Sequence, residues 1–143
     1  MLRVVLDTNI LVSAVLSKSG APAQIVDAWQ ADEFFLVSYE TAIAEVERVL
    51  KDLLSLGKYR ITEEDISSLL HLLQSDALLT LDLPNVTDII PAHPADELFL
   101  SIALAGESQV IVSGDKHLLG LKTFRGIEIL TARKFFDALN ADK

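Results

Sequence analysis

Four acidic residues stand where a carboxylate needs either a structural or a chemical explanation. Asp7 interrupts the apolar stretch VVLDTNILVSA, and Asp115 follows the apolar run QVIVS after a single glycine. Asp96, in HPADELFLSIAL, lies in the first turn of an expected helix, and Glu45 lies at the edge of the apolar stripe of another. Carboxylates that come together from distant parts of a chain are suited to holding a divalent metal ion.

Each of these acids alone has an ordinary explanation. An Asp directly after a strand often caps the following helix, and a helix N-terminus favours an anion. Several carboxylates in one crevice, however, cannot all stay ionised without a cation. No Lys or Arg neighbours Asp7 or Asp96 in the sequence, although Arg48 is three residues from Glu45. Because every proposed ligand is an oxygen, Mg²⁺ or Mn²⁺ fits better than zinc.

Short apolar strands alternate with helices along the whole sequence. This alternation predicts a parallel sheet covered on both faces, a three-layer α/β sandwich with right-handed crossovers. The predicted strands cover residues 2–6, 34–38, 77–81, 109–113 and 126–130. The predicted helices cover residues 9–16, 21–31, 39–55, 62–76, 95–106 and 131–140, with a short helix after Asp115.

Local signals set several of these boundaries. Ser38 is a candidate N-cap for the helix that begins at 39, Gly57 is its expected C-terminal stop, and Thr62-Glu-Glu-Asp65 resembles a capping box. In open α/β sheets, ligands bind beyond the carboxyl ends of the strands, where the strand order reverses. Asp7 and Asp115 both follow strands at this edge, so we expect them to face one crevice.

Composition excludes several other classes of protein. The chain has 143 residues, of which half are apolar and 23% are charged, which indicates one ordered domain with a substantial core. It has no cysteine, and therefore no disulfide framework, thiolate metal site or cysteine nucleophile. The beginning, MLRVVLD, lacks the long apolar region of a signal peptide, and no apolar run approaches the ~20 residues of a membrane span. We therefore expect a cytoplasmic protein.

The net charge of −9 is unevenly distributed. Residues 62–115 contain ten acids and no Lys or Arg, so that stretch carries −10 and the rest of the chain carries +1. This asymmetry argues against loose, non-specific nucleic-acid binding, which needs a broad basic face. It remains compatible with a nucleic-acid substrate if metal ions or a basic partner supply positive charge.

The same residues resemble a known family. DTN after the first strand, a Glu in the helix after the second, ADELFL after the third and SGDKHLL after the fourth resemble the PIN domain, in particular the VapC-type toxins of bacterial toxin–antitoxin systems. The resemblance covers about residues 2 to 135, so we expect residues 1–143 to form a single PIN domain. It implies a five-stranded parallel sheet of order 3-2-1-4-5.

The resemblance also implies a site and an activity. The acidic quartet is Asp7, Glu45, Asp96 and Asp115, which would bind metal and catalyse the reaction. Asn9 and Ser113 match polar residues of the family motifs and would position the acids or the substrate. Family members typically cleave RNA with Mg²⁺ or Mn²⁺, form homodimers, and are inhibited by a small antitoxin whose basic C-terminal segment enters the acidic groove.

Two assignments within the quartet stay open. Glu97 adjoins Asp96 in the sequence, so either could be the third ligand. Asp7 and Asp96 would anchor one metal ion, and Asp115 with Glu45 would complete that site or help to form a second. The carboxylates alone do not distinguish transfer, ribosomal and messenger RNA as substrates.

Other catalytic schemes fit the sequence less well. A metal-independent ribonuclease needs paired histidines, but the three histidines lie in separate elements. A receiver domain needs a Lys after its fifth strand, where this chain has Thr131, and a haloacid-dehalogenase phosphatase needs a second Asp where this chain has Asn9. A PIN fold that binds partners without cleaving RNA remains the alternative. A homodimer through the helices at 39–55 and 62–76 is plausible, although their apolar residues could equally pack into the core.

Overall fold

The central feature of the computed structural model, which describes residues 1–86, 89 and 96–141, is one mostly parallel sheet. Its strands within those residues are β1 (Arg3–Leu6), β2 (Phe35–Ser38), β3 (Leu78–Leu79), β4 (Val110–Val112), β5 (Thr123–Phe124) and β6 (Ile127–Leu130). Their order is β3-β2-β1-β4-β6-β5, and every neighbouring pair is parallel except β5 and β6. The predicted α/β fold is therefore confirmed, and the predicted order 3-2-1-4-5 corresponds to its five parallel strands.

The sixth strand, β5, was not predicted. Arg125 and Gly126 both have positive φ, +49° and +84°, and they turn the chain so that Thr123 and Phe124 pair antiparallel with β6. Two consecutive residues of positive φ are typical of a tight hairpin turn, for which Asn-Gly is the usual signal. Here Arg-Gly makes the turn, which is why the sequence pattern did not reveal it.

Helices cover both faces of the sheet. They are α1 (Thr8–Leu16), α2 (Ala21–Gln30), α3 (Glu40–Leu56), α4 (Glu63–Asp76), α5 (Glu97–Ala105), α6 (Lys116–Leu121) and α7 (Ala132–Ala141). Side chains alternate across β1, so that Val4 and Leu6 join one buried cluster with α1, α2, α3, α4 and α7, whereas Val5 joins a second cluster with α5 and α6. The three predicted layers are thus confirmed.

Several helix boundaries follow the local signals. Gly57 ends α3 in the left-handed conformation, with φ +69°, and Thr62 and Asp65 form a reciprocal capping box at the start of α4. The N-cap assignment of Ser38 is wrong. Ser38 is the last residue of β2, where it remains in the sheet ladder, and Tyr39 occupies the N-cap of α3.

The third strand is shorter than expected. The predicted strand 77–81 is reduced to Leu78 and Leu79 at the edge of the sheet, where both side chains are exposed. Most of the predicted 82–94 loop beyond residue 86, and the predicted start of the next helix at 95, lie outside the described residues. Of the helices in the described part of the chain, none has the length and apolar character required to cross a membrane.

Candidate active site

Asp7 connects the end of β1 to the beginning of α1. Its backbone N–H donates to the Val112 carbonyl of β4 at 3.1 Å, which holds the two strand ends together. Its Oδ1 accepts a hydrogen bond from the Ile10 N–H at 3.0 Å and so caps α1. The residue is only 3% exposed, so its carboxylate is a helix cap that also lies at the floor of a cleft.

Ser113 links Asp7 to Asp115 from below the cleft. Its hydroxyl is fully buried, donates a hydrogen bond to Asp7 Oδ2, and accepts one from the Asp115 N–H at 2.9 Å. One side chain therefore fixes the relative position of the two carboxyl-bearing residues at the ends of β1 and β4. Ser113 does not line the cleft itself, and its observed contacts are those of a positioning residue.

Asp115 caps the short helix α6. Its Oδ1 accepts hydrogen bonds from the backbone N–H groups of His117 and Leu118, at 2.7 and 3.2 Å. These contacts fix the carboxylate at the carboxyl end of β4, half-buried and facing the same cleft as Asp7. Among the described residues, Asp115 Oδ2 accepts no hydrogen bond.

The structure separates Asp96 from Glu97. Asp96 immediately precedes α5 and lines the cleft. Glu97 is 6% exposed, and its Oε2 accepts a hydrogen bond from the Ile89 N–H at 2.8 Å. Of the two neighbours, Asp96 therefore faces the cleft, whereas Glu97 attaches the preceding loop to the start of α5.

Glu45 lines the cleft from α3 but is engaged by a cation. Arg48 Nη2 lies 2.6 Å from Glu45 Oε1, and Arg48 Nε donates to Glu45 Oε2 at 3.2 Å. Arg48 Nη1 also contacts Asp52 at 3.2 Å. The Glu45 side chain is 45% exposed, which is more than its expected position at the edge of the buried stripe implied. Its exposure leaves the carboxylate room to turn.

These side chains share one cleft of about 460 Å³ at the carboxyl edge of the sheet. The cleft contains all four predicted acids and Asn9, and it excludes Ser113. Thr8 and Thr41 also line it and were not singled out in the sequence; Thr8 lies within the DTN motif, whereas Thr41 carried no signal. The lining residues are Asp7, Thr8, Asn9, Thr41, Ala42, Glu45, Val49, Asp96, Leu98, Phe99 and Asp115.

The electrostatics of the cleft disfavour a charged Asp7. Burial is the main cause that raises the pKa of Asp7 above its ordinary value, and repulsion from Asp115 and Asp96 raises it further. The hydrogen bonds from Ser113 and from the Ile10 N–H partly offset this rise. Asp96 and Asp115 are thus each close enough to Asp7 to repel its charge, and either a proton or a cation relieves that repulsion.

The donor set fits a hard divalent cation in its chemistry, because every candidate ligand is a carboxylate oxygen. In residues 1–86, 89 and 96–141, however, no group of three or more acidic or histidine side chains is already arranged to hold an ion. Glu45 is turned towards Arg48, and one oxygen each of Asp7 and Asp115 is used in capping. Joint coordination therefore requires side-chain rotation, most of all by Glu45.

Comparison with known proteins shows to which family this chain belongs. A family model described as the PIN domain matches residues 3–117, a range that contains all four acids. The chain belongs to the PIN-domain family. PIN domains are generally nucleases and usually use divalent metal ions, so the family indicates a hydrolase acting on nucleic acid.

A relative is found in the archaeon Methanocaldococcus jannaschii. The uncharacterized protein MJ1680 is 28% identical over 122 residues, which cover 85% of this chain and 76% of the relative. Its name assigns no substrate, so the finer function of this PIN domain depends on the site.

Proposed function

We propose that this PIN domain, spanning residues 1–143, is a Mg²⁺- or Mn²⁺-dependent endoribonuclease and the toxin of a type II toxin–antitoxin system of VapC type. The observation that carries the nuclease assignment is the meeting of Asp7, Glu45, Asp96 and Asp115 in one cleft. The raised pKa of Asp7 supports it, because repulsion from Asp115 and Asp96 contributes to that rise.

The chain's own residues would hold the metal and the substrate. Asp7 and Asp96 would anchor one ion, and Asp115 with Glu45 would complete its coordination or contribute to a second. A divalent cation there would supply Lewis acidity, making water a better nucleophile near neutral pH and stabilising negative charge on the phosphate. Through its two hydrogen bonds, the buried Ser113 hydroxyl holds Asp7 and Asp115 in fixed relative positions.

Substrate-facing groups surround the acids. Asn9 is exposed at the cleft, and Thr8 and Thr41 add polar side chains to its wall. We propose that these groups orient the RNA backbone. If Glu45 turned towards a bound metal ion, Arg48 would lose its contacts with Glu45 but keep the one with Asp52. The freed part of its guanidinium would then be available to a phosphate near the cleft.

The toxin assignment rests on the family resemblance and on charge. An acid-lined cleft in a chain of net charge −9 complements a small antitoxin with a basic C-terminal segment. A short neighbouring gene that encodes a DNA-binding N-terminal part and a basic tail would support this assignment.

The proposed homodimer depends on the resemblance alone. The apolar residues of α3 and α4 that suggested a dimer interface, including Val46, Leu50, Ile66 and Leu73, are buried within the chain's own core. A molecular mass measured by light scattering would test the dimer directly.

A cleavage assay tests the enzymatic part of the proposal. Purified protein should cut a labelled single-stranded RNA with Mn²⁺, and excess EDTA should abolish the reaction. Asp7→Asn should lower the rate of RNA cleavage at least about a hundredfold, because it removes a proposed metal ligand. Glu47→Gln is the matched control, because it removes one acid of α3 that does not line the cleft, and it should remain active.

The alternative, a PIN fold that binds partners without cleaving RNA, predicts a different pattern. The wild-type protein would then release no heat when titrated with Mn²⁺ and would turn over no RNA. If instead Asp7→Asn cleaved as fast as the wild type, the activity would come from a contaminant or from another site.

A further inference from the structure

A segment of net positive charge directly follows the last cleft acid. Residues 116–134 contain five Lys or Arg residues and one acid, a net charge of +4 with His117 neutral, whereas residues 62–115 have no Lys or Arg. The five are Lys116, Lys122, Arg125, Arg133 and Lys134. A chain of net charge −9 that acts on a polyanion needs such a local source of attraction.

This basic segment continues the edge of the sheet on which the cleft lies. Asp115, in the cleft, is the N-cap of α6, and Lys122 is its C-cap. The Ser113 N–H donates to the Leu130 carbonyl at 2.9 Å, so the ends of β4 and β6 are adjacent, and Thr131 follows at that same edge. The six residues of α6 extend about 9 Å at 1.5 Å per residue.

Two of the lysines line a groove beside this edge. The groove has a volume of about 460 Å³ and is lined by Leu119, Lys122, Ile129, Leu130, Thr131 and Lys134, with no acid among them. In the part of the chain that the structure describes, neither Lys122 nor Lys134 forms an ion pair. Thr131 Oγ1 accepts the Lys134 N–H at 3.2 Å, which leaves the hydroxyl proton available to a ligand.

The backbone at Lys122 is held in an uncommon conformation. Its φ of +61° with ψ of −51° is sparsely populated for a residue with a side chain. Hydrogen bonds fix it from both sides, since its N–H donates to Leu119 at 3.1 Å and its carbonyl accepts from Ile129 at 3.0 Å. Strained residues of this kind persist where the surrounding structure fixes them, and they concentrate at functional sites.

We propose that this lysine groove, formed by Lys122, Thr131 and Lys134, is a phosphate-binding subsite for the backbone of single-stranded RNA. It rests on the proposed nuclease function and deepens it, because the groove would hold the RNA backbone at the same edge of the sheet as the cleft. Its contacts are made to the backbone, so they fix the position of the strand without reading its sequence.

Binding of a fluorescent single-stranded RNA, followed by anisotropy without added divalent metal, tests the subsite. For single strands each phosphate contact contributes about 0.7 to the slope of log affinity against log salt, which is about fivefold in affinity at 0.1 M salt. The double variant Lys122→Gln/Lys134→Gln should therefore lose about 25-fold in affinity and about 1.4 in slope.

Two further variants separate the groove from general charge and from misfolding. Lys18→Gln/Lys58→Gln removes the same charge from exposed positions outside the groove and should bind within about twofold of the wild type. Lys122→Arg/Lys134→Arg keeps the charge and should retain binding. A single-stranded DNA of the same sequence should show the same loss in the glutamine variant, since the contacts are to phosphate.

The outcomes distinguish this inference from the proposed function. If the protein cleaves RNA with Mn²⁺ but the groove and control glutamine variants bind alike, the subsite is overturned and the nuclease stands. If binding depends on the lysines but no cleavage occurs, the nuclease fails and the subsite stands. A loss confined to RNA would mean a contact to the sugar hydroxyl and would overturn the assignment to phosphate.

Discussion

Replacing Asp7 separates its role as a helix cap from its role as a charged group. Asp7→Asn keeps an oxygen that can accept the Ile10 N–H, and Asn is as good an N-cap as Asp. The new amide reverses the contact with Ser113: it can donate to Ser113 Oγ, but the buried Ser113 hydroxyl proton loses its acceptor, which offsets part of the gain from removing the charge. The substitution removes the charge that burial and the neighbouring acids disfavour, so the metal-free variant should be as stable as the wild type or more stable.

Asp7→Ala is the paired perturbation, because it removes the charge and the cap together. Loss of an N-cap costs about 0.5–2 kcal/mol. At about 2.1 cal/mol/K per residue, unfolding of 143 residues changes the entropy by about 0.3 kcal/mol/K, so 1 kcal/mol corresponds to about 3 °C in Tm. The alanine variant should therefore melt about 2–6 °C below the asparagine variant.

The pH dependence of the same comparison follows from the raised pKa of Asp7. The unfolded chain ionises this group near the ordinary Asp pKa of about 3.9, and the folded protein ionises it at higher pH. Between these two pKa values the folded protein keeps Asp7 protonated whereas the unfolded chain does not. The stability of the fold therefore falls as the pH rises through this range. The advantage of Asp7→Asn should be largest at neutral pH and vanish below about pH 4.

The Tm of the wild type, Asp7→Asn and Asp7→Ala can be measured in EDTA by circular dichroism between pH 3.5 and 8. If Asp7→Asn loses as much stability as Asp7→Ala at pH 7, the ionised carboxylate stabilises the fold. Asp7 would then be a structural cap, and the reasoning from its environment would be refuted.

Three further predictions concern the surroundings of the cleft. Ser113→Ala leaves Asp7 and the Asp115 N–H without their buried partner, so it should cost about 1–3 kcal/mol, or about 3–10 °C in Tm by melting. Arg48→Ala frees Glu45, so the affinity for Mn²⁺ measured by calorimetry should rise about twofold to fivefold, with little change in Tm. An unchanged affinity would contradict a competition between Arg48 and the metal ion for Glu45. Mn²⁺ at about 100 times its Kd should stabilise the wild type by about 2.7 kcal/mol, about 9 °C, and an equal shift in Asp7→Asn would place the ion elsewhere.

The sequence was most informative where local and long-range signals agree. Asp7 and Asp115 each follow an apolar strand and begin a helix, and parallel strands bring their carboxyl ends to one edge. The position of both acids could therefore be predicted from patterning alone. The same holds for Gly57 and the Thr62 capping box, which depend only on neighbouring residues.

Other features depend on contacts that the sequence does not show. Asp96 and Glu97 are adjacent and chemically similar, and only the contact of Glu97 with Ile89 shows which one is turned inward. The orientation of Glu45 is decided by Arg48, which competes with the cleft for its carboxylate. The lysine groove also depends on such contacts, because Lys122 and Lys134 belong to different helix ends and line one groove together with residues of β6.

The most direct measurement of the central claim, that the cleft acids together hold a dication, is an anomalous difference map from crystals soaked in Mn²⁺. We expect a peak in the cleft within about 2.0–2.6 Å of carboxylate oxygens of Asp7 and at least one of Asp96 and Asp115, with Glu45 turned away from Arg48. A map with no peak in the cleft at saturating Mn²⁺, or with ions only at other surface acids, would contradict it.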